Sequence, residues 1–177
     1  MFNKVLVALD TEESCSFLFE KALALAEATA SDLVLLGVLT LDGGGTLPPL
    51  SYPAATGYPL TTIDSAWEIY RERYEAYKSK EEAVLKRYLD QAIAAGIQAE
   101  LRQETGDPGK IVCDVAKAEN ADLIIVGSHR RRGLNEFLMG SVSSYVMHRA
   151  PCSVLVVHQP EIAQATQEED LMLSTAN

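Results

Sequence analysis

Cysteine is scarce in this chain: Cys15, Cys113 and Cys152 are an odd number at wide spacing, with no Cys-x-x-Cys. That argues against a disulfide framework or a thiolate zinc site, and the thiols read as buried small hydrophobes. No apolar run approaches the roughly 18 residues that a membrane span needs. Positive charge is also in deficit: 15 Lys and Arg stand against 25 Asp and Glu, a net charge of −10. Such a surface argues against a broad nucleic-acid or anionic-membrane face and leaves room only for a small local anion site. Three signatures of chemistry are missing: the Gly-x-Ser-x-Gly elbow, His-Glu-x-x-His, and the Gly-x-x-x-x-Gly-Lys-Ser/Thr phosphate loop. Residues 1–4 run directly into an apolar stretch, so no signal peptide is read and a cytoplasmic protein is expected. The 177 residues fit a single domain that folds without covalent staples.

What is present is an alternation of short apolar runs and amphipathic stretches. Residues 4–9, Lys-Val-Leu-Val-Ala-Leu, read as a buried first strand that ends at Asp10 and Thr11, either of which can cap the next helix, with Glu12 and Glu13 in its first turn. Leu18, Ala22, Leu25 and Ala26 recur at helical spacing and predict a helix over residues 14–30; residues 32–39 form the second strand, completing a βαβ unit. Residues 41–64 hold Gly43, Gly44, Gly45 and four of the seven prolines, so they are expected to be a flexible loop insertion. A long helix follows over 65–95, with Tyr70, Tyr74, Tyr77, Val84 and Tyr88 on one stripe, Leu85, Leu89, Ala92 and Ile93 beside it, and Gly96 as its stop. Residues 97–104 alternate as an edge strand does, and Pro108 opens a further helix. Beyond His158 the tail, residues 159–177, is acidic with no Lys or Arg, and is expected to be disordered.

Chemistry concentrates after the fourth strand, whose run Leu123, Ile124, Ile125, Val126 stops at Gly127. The loop carries Ser128, His129, Arg130, Gly133 and Gly140, and a short helix to Arg149 follows at the Gly140–Ser141 step or at Ser143. A helix that starts at glycine and serine offers free amides to a phosphate, so Gly140, Ser141, Val142 and Ser143 are the phosphate candidates, through backbone N–H groups and hydroxyls. Arg130, Arg131 and Arg132 place positive charge beside these phosphate candidates, and His129 at the same turn can contact phosphate. No residue is an evident general base. The fifth strand is read over residues 152–157.

Gly127, position 130, Gly140 and Ser141 fall at the spacing of the nucleotide loop of the universal stress protein family, and the segment resembles it, with Arg130 where the family has its second glycine. The resemblance spans residues 4–157, including the opening run to Asp10 and the closing Ala150-Pro-Cys-Ser-Val-Leu-Val-Val157. It implies an α/β fold of the adenine nucleotide α-hydrolase-like kind over residues 1–158. That fold is a doubly wound five-stranded parallel sheet in order 3-2-1-4-5 with helices on both faces. It implies ATP or a related adenine nucleotide, with or without Mg2+, in the crevice between strands one and four. Asp10 would face the adenosine part, with Thr11 beside it among the binding residues, Ala8 would line that pocket, Val38 would offer backbone groups to the adenine edge, and Gly127 would approach ribose and phosphate. A homodimer through strand five, Ser153–Val157, and unknown protein partners are implied as well. Members of the family with degraded loops bind no nucleotide. Arg130 therefore leaves three readings open: a nucleotide-binding regulator, a nucleotide-independent dimeric interaction module, and a weak metal-dependent ATP hydrolase.

Overall fold

The apolar runs become five strands: β1 (Lys4–Leu9), β2 (Asp32–Leu39), β3 (Ala99–Thr105), β4 (Leu123–Gly127) and β5 (Ser153–Val157). The computed structural model describes residues 2–10, 15–40, 60–128 and 140–158, and of residues 60–67 the backbone alone. The strands pair in parallel in the order β3-β2-β1-β4-β5, joined by α1 (Cys15–Thr29), α2 (Leu60–Ala94), α3 (Pro108–Ala118) and α4 (Ser141–Arg149).

Parallel strands covered on both faces must be apolar at every position, and side-chain alternation then splits the core in two. Val5, Val7, Leu33, Leu35, Leu123 and Ile125 meet Phe19 and Ala22 of α1 and Leu85, Tyr88 and Ala92 of α2. Leu6, Val34, Leu36, Ile124 and Val126 meet Val112 and Ala116 of α3 and Val146 of α4. Each such Leu, Ile, Val or Phe contributes about 1.5–3 kcal/mol by leaving water, so this double core dominates stability. The sheet is a rigid platform for whatever its upper edge carries. Gly96 ends α2 at φ 81°, where the amides of Gly96 and Ile97 return to the carbonyls of Ile93 and Ala92. Asn120, at φ 53°, does the same for α3.

Several boundaries differ from expectation. α2 starts at Leu60, so residues 60–64 of the expected loop are helical. After Pro59 no glycine or proline interrupts the chain until Gly96, and nothing stops a helix from forming at once. Residues 41–59 and 159–177 lie outside the described residues, as do Glu12 and Glu13, ahead of the first residue of α1. α4 begins at Ser141 and not at Ser143, and β5 at Ser153 and not at Cys152. Ile93, read beside the inner stripe of α2, is 56% exposed. Of the three thiols only Cys15 is buried; Cys113 and Cys152 are half-buried.

Asp122, one residue before β4, ties the start of β1 in place. Its Oδ2 accepts the amides of Asn3 and Lys4, the latter at 3.1 Å. The Asn3 amide first, then that of Lys4, hold its carboxyl below the ordinary 3.8. The unfolded chain therefore takes up this proton before the folded one as the pH falls, so the contribution is present above about pH 4 and is lost on acidification through the lower folded value. Asp122→Asn should flatten the acid limb of the stability curve, read as denaturation midpoint from pH 7 to pH 3. A limb as steep as in the parent chain would rule this role out.

Candidate functional site

In a parallel sheet the carboxyl ends of all strands lie together, and a crevice opens where connections leave in opposite directions. Here that point is between β1 and β4, which pair directly. Ala8, on β1, and Val38, on β2, are partly buried and pack against the α3–α4 layer. Val38 sits one residue beyond the last β1–β2 pair, Leu9 with Gly37. Asp10 is exposed just past the end of β1. Burial first, then the charge of Asp10, pushes the Cys15 thiol far above its usual range. Cys15 is thus a protonated, inert thiol at neutral pH rather than a nucleophile. Gly127 closes β4 on the α1 side, and a β-carbon there would lie 3.6 Å from Cδ2 of Leu18, an ordinary contact. Packing alone does not require glycine at this position.

The N-terminus of α4 arrives at the same edge. The helix ends at Arg149 and β5 begins at Ser153, so α4 runs back along the strand. Nine helical residues rise about 13 Å and five strand residues about 16 Å, which brings Ser141 level with the end of β5. Val142, Val146, Val154 and Val156 share one cluster, which fixes that alignment. Gly140 is the N-cap, with no side-chain cap, and its carbonyl receives the first helical bond from Ser144 at 2.9 Å. The amides of Ser141, Val142 and Ser143 precede that bond and have no acceptor within the helix. Ser143 departs from expectation: it is 1% exposed, and its hydroxyl donates to the Gly140 carbonyl at 3.0 Å. It offers its amide and not its hydroxyl. Ser141 is exposed.

Ser128 follows Gly127, and its amide donates to the Val157 carbonyl at 2.9 Å. Its Oγ lies 2.6 Å from Nδ1 of His158, a residue the sequence reading passed over because 30 positions separate the two. Thr11, His129, Arg130 and Gly133 lie outside the described residues. Among the described residues, no group of three or more His, Cys, Asp or Glu side chains is placed to hold a metal ion, and no helix is long and apolar enough to cross a membrane.

The seat of α4 depends on a close approach to α3 that sequence periodicity did not reveal. A β-carbon on Gly109 would stand 2.9 Å from two ring carbons of Tyr145. Gly109→Val should therefore cost about 1–3 kcal/mol, lowering Tm by about 2–4 °C per kcal/mol, and should displace α4 together with its free amides. Calorimetry checks the first effect; an unchanged Tm would show that Tyr145 swings away freely.

Comparison with known proteins agrees with this geometry. The model of the Universal stress protein family matches residues 1–158. Universal stress protein Sll1388 of Synechocystis is 32% identical over 158 residues, covering 88% of this chain and 97% of the relative. Universal stress protein Slr1101 of the same organism is 38% identical over 104 residues, 59% of this chain and 96% of the relative. The solved structure of hypothetical protein MJ0577 superposes with a TM-score of 0.68 at 22% identity, covering 90% of this chain and 98% of that one. A universal stress protein in complex with cAMP gives 0.58 at 22% identity, covering 89% and 97%. A universal stress protein family protein of Arabidopsis thaliana with AMP bound gives 0.59 at 21%, covering 89% and 92%. At these identities the structures speak for the fold, while the family match and the 32% relative speak for descent: the chain belongs to the universal stress protein family.

Proposed function

We propose that this protein is a stress-response regulator of the cytoplasm that binds ATP or a related adenine nucleotide in the β1/β4 crevice and changes its partner interactions with occupancy. The observation that carries this reading is the first turn of α4, whose amides at Ser141, Val142 and Ser143 precede the first helical bond, at the same sheet edge as Ala8, Asp10, Val38 and Gly127. A helix N-terminus attracts phosphate through these donors and through the macrodipole. That two solved members of the fold hold AMP and cAMP supports an adenine nucleotide as ligand. Mg2+, where it takes part, would come with the phosphates.

Arg130 favours a second reading, in which the chain binds no nucleotide and acts as a dimeric interaction module. If the family's second loop glycine is left-handed, any β-carbon in its place costs roughly 1–2 kcal/mol, which a folded domain absorbs while affinity changes. Titration of the purified protein with ATP, ADP and AMP separates the readings, since only the first gives saturable binding. In both, the dimer would form through β5, an edge strand whose Leu155 is 41% exposed. Light scattering at micromolar concentration should return twice the monomer mass, and a monomer would contradict the pairing.

A further inference from the structure

We propose that the part of α2 standing above the sheet, a stripe of three tyrosines between two basic flanks, is a docking face for the acidic segment 168–173 of the same chain.

The face exists because α2 outruns the sheet. Its 35 residues rise about 52 Å, twice the length of the strands it covers. It joins β2 to its parallel neighbour β3, so it runs against both and starts at their carboxyl ends. Leu85, Tyr88 and Ala92 of its lower half lie in the core. Higher up, the Lys78 carbonyl accepts from Nε2 of Gln103 at 3.4 Å, and the Tyr74 hydroxyl lies 3.1 Å from that of Thr105, the last residue of β3. Residues 60–73 precede that contact, about 21 Å of helix beyond the end of β3.

Tyr70, Tyr74 and Tyr77 follow at spacings of four and three, the repeat of a helix face that receives another chain. All three are half-buried, and the rings of Tyr70 and Tyr74 stack with centroids 6.5 Å apart. At 3.6 residues per turn, Arg71 and Lys78 fall on one side of this stripe and Arg73 and Lys80 on the other, roughly 60–100° from it. Glu68, Glu72 and Glu75 take the far side. The four cations are exposed. Among the described residues, the cations in ion pairs are Lys4, Lys86 and Arg102, and none of these four is one of them.

Charge selects the occupant. Two copies of this face would set Arg and Lys against Arg and Lys. The complement is in the chain itself: residues 159–177, outside the described residues, hold Glu161, Glu168, Glu169 and Asp170 with no Lys or Arg. Leu171, Met172 and Leu173 follow the last acid directly. Carboxylates suit the basic flanks, and tyrosine rings take leucine and methionine side chains, the thioether with a further gain. Reach allows it. The chain leaves the sheet at His158, past the carboxyl end of β5, and in a parallel sheet that is the end from which α2 rises. In the order β3-β2-β1-β4-β5 the outer strands are about 19 Å apart, and residues 158–168 extend to about 33–36 Å. The path runs over the ends of β4 and β1, so the docked segment crosses the crevice.

The test uses the full chain and a carbodiimide, which joins a carboxylate to a lysine amine it touches, followed by peptide mapping. Cross-links from Glu168, Glu169 or Asp170 to Lys78 or Lys80 are expected, within one chain when 14N and 15N protein are mixed. In 0.5 M NaCl their yield in the parent chain should fall, as exposed charge pairs are screened. Arg71→Glu with Arg73→Glu should lower it by roughly 2- to 30-fold, the worth of two exposed ion pairs, and adding Glu168→Arg with Glu169→Arg should restore the link from Asp170. Absence of these cross-links, a yield indifferent to salt, or links only between copies would overturn the proposal. So would saturable binding of a single-stranded oligonucleotide that Arg71→Glu with Arg73→Glu abolishes, which would assign the face to nucleic acid.

Discussion

Gly140→Val should weaken adenine-nucleotide binding by roughly 10- to 150-fold for each charge-assisted hydrogen bond it removes, at about 1.5–3 kcal/mol per bond. The loss follows from position. Gly140 is the N-cap of α4 at φ −57°, ψ 155°, a backbone conformation open to any residue, so valine should not break the fold. It would instead stand a branched side chain at the mouth of the amides of Ser141, Val142 and Ser143, where a phosphate must come within about 3 Å of nitrogen. Loss of affinity with an unchanged Tm is the expected pair of results. Affinity within twofold of the parent would mean that phosphate, if it binds, binds elsewhere.

The second large effect is on stability and comes from Gly37. A β-carbon there would lie 2.4 Å from Cδ1 of Leu85, a side chain of α2 that is 1% exposed. Gly37→Ala should cost about 1–3 kcal/mol by overpacking, and Leu85→Ala about 2–5 kcal/mol by the cavity it leaves. In the double variant the new methyl occupies part of that cavity. The two losses should then fall short of additivity by about 0.5–3 kcal/mol in denaturant midpoints. Strict additivity would show that β2 and α2 separate to admit the methyl and that the core is looser than its burial implies.

Gly37 and Gly109 also mark what sequence reading misses. The three buried strands, β1, β2 and β4, were legible because a parallel sheet with helices on both faces demands unbroken apolar runs, and residues 4–9 and 32–39 supply them at the observed limits. β3 was legible as an edge because Ala99, Leu101 and Gln103 alternate with more exposed neighbours. A glycine kept small for a neighbour far along the chain leaves no periodic trace: Gly37 answers to Leu85 and Gly109 to Tyr145. The candidate site divided in the same way. The Gly140–Ser141 step announced a helix start, and the helix is there. The Ser143 hydroxyl turns back on the carbonyl three residues before it, a choice made within the first turn of α4. The Ser128–His158 contact follows from the β4–β5 register, which pairs Gly127 with Val157 and which local propensity does not encode.

The most direct test of the nucleotide site is a calorimetric titration of the purified protein with ATP, ADP and AMP, after any nucleotide carried through purification has been released by denaturation and identified by mass spectrometry. Saturable binding at one nucleotide per chain, lost in Gly140→Val, is the predicted result. No released nucleotide and no heat of binding up to about 1 mM ligand, the range of about −4 kcal/mol, would contradict it and shift the function of this family member to its protein partners.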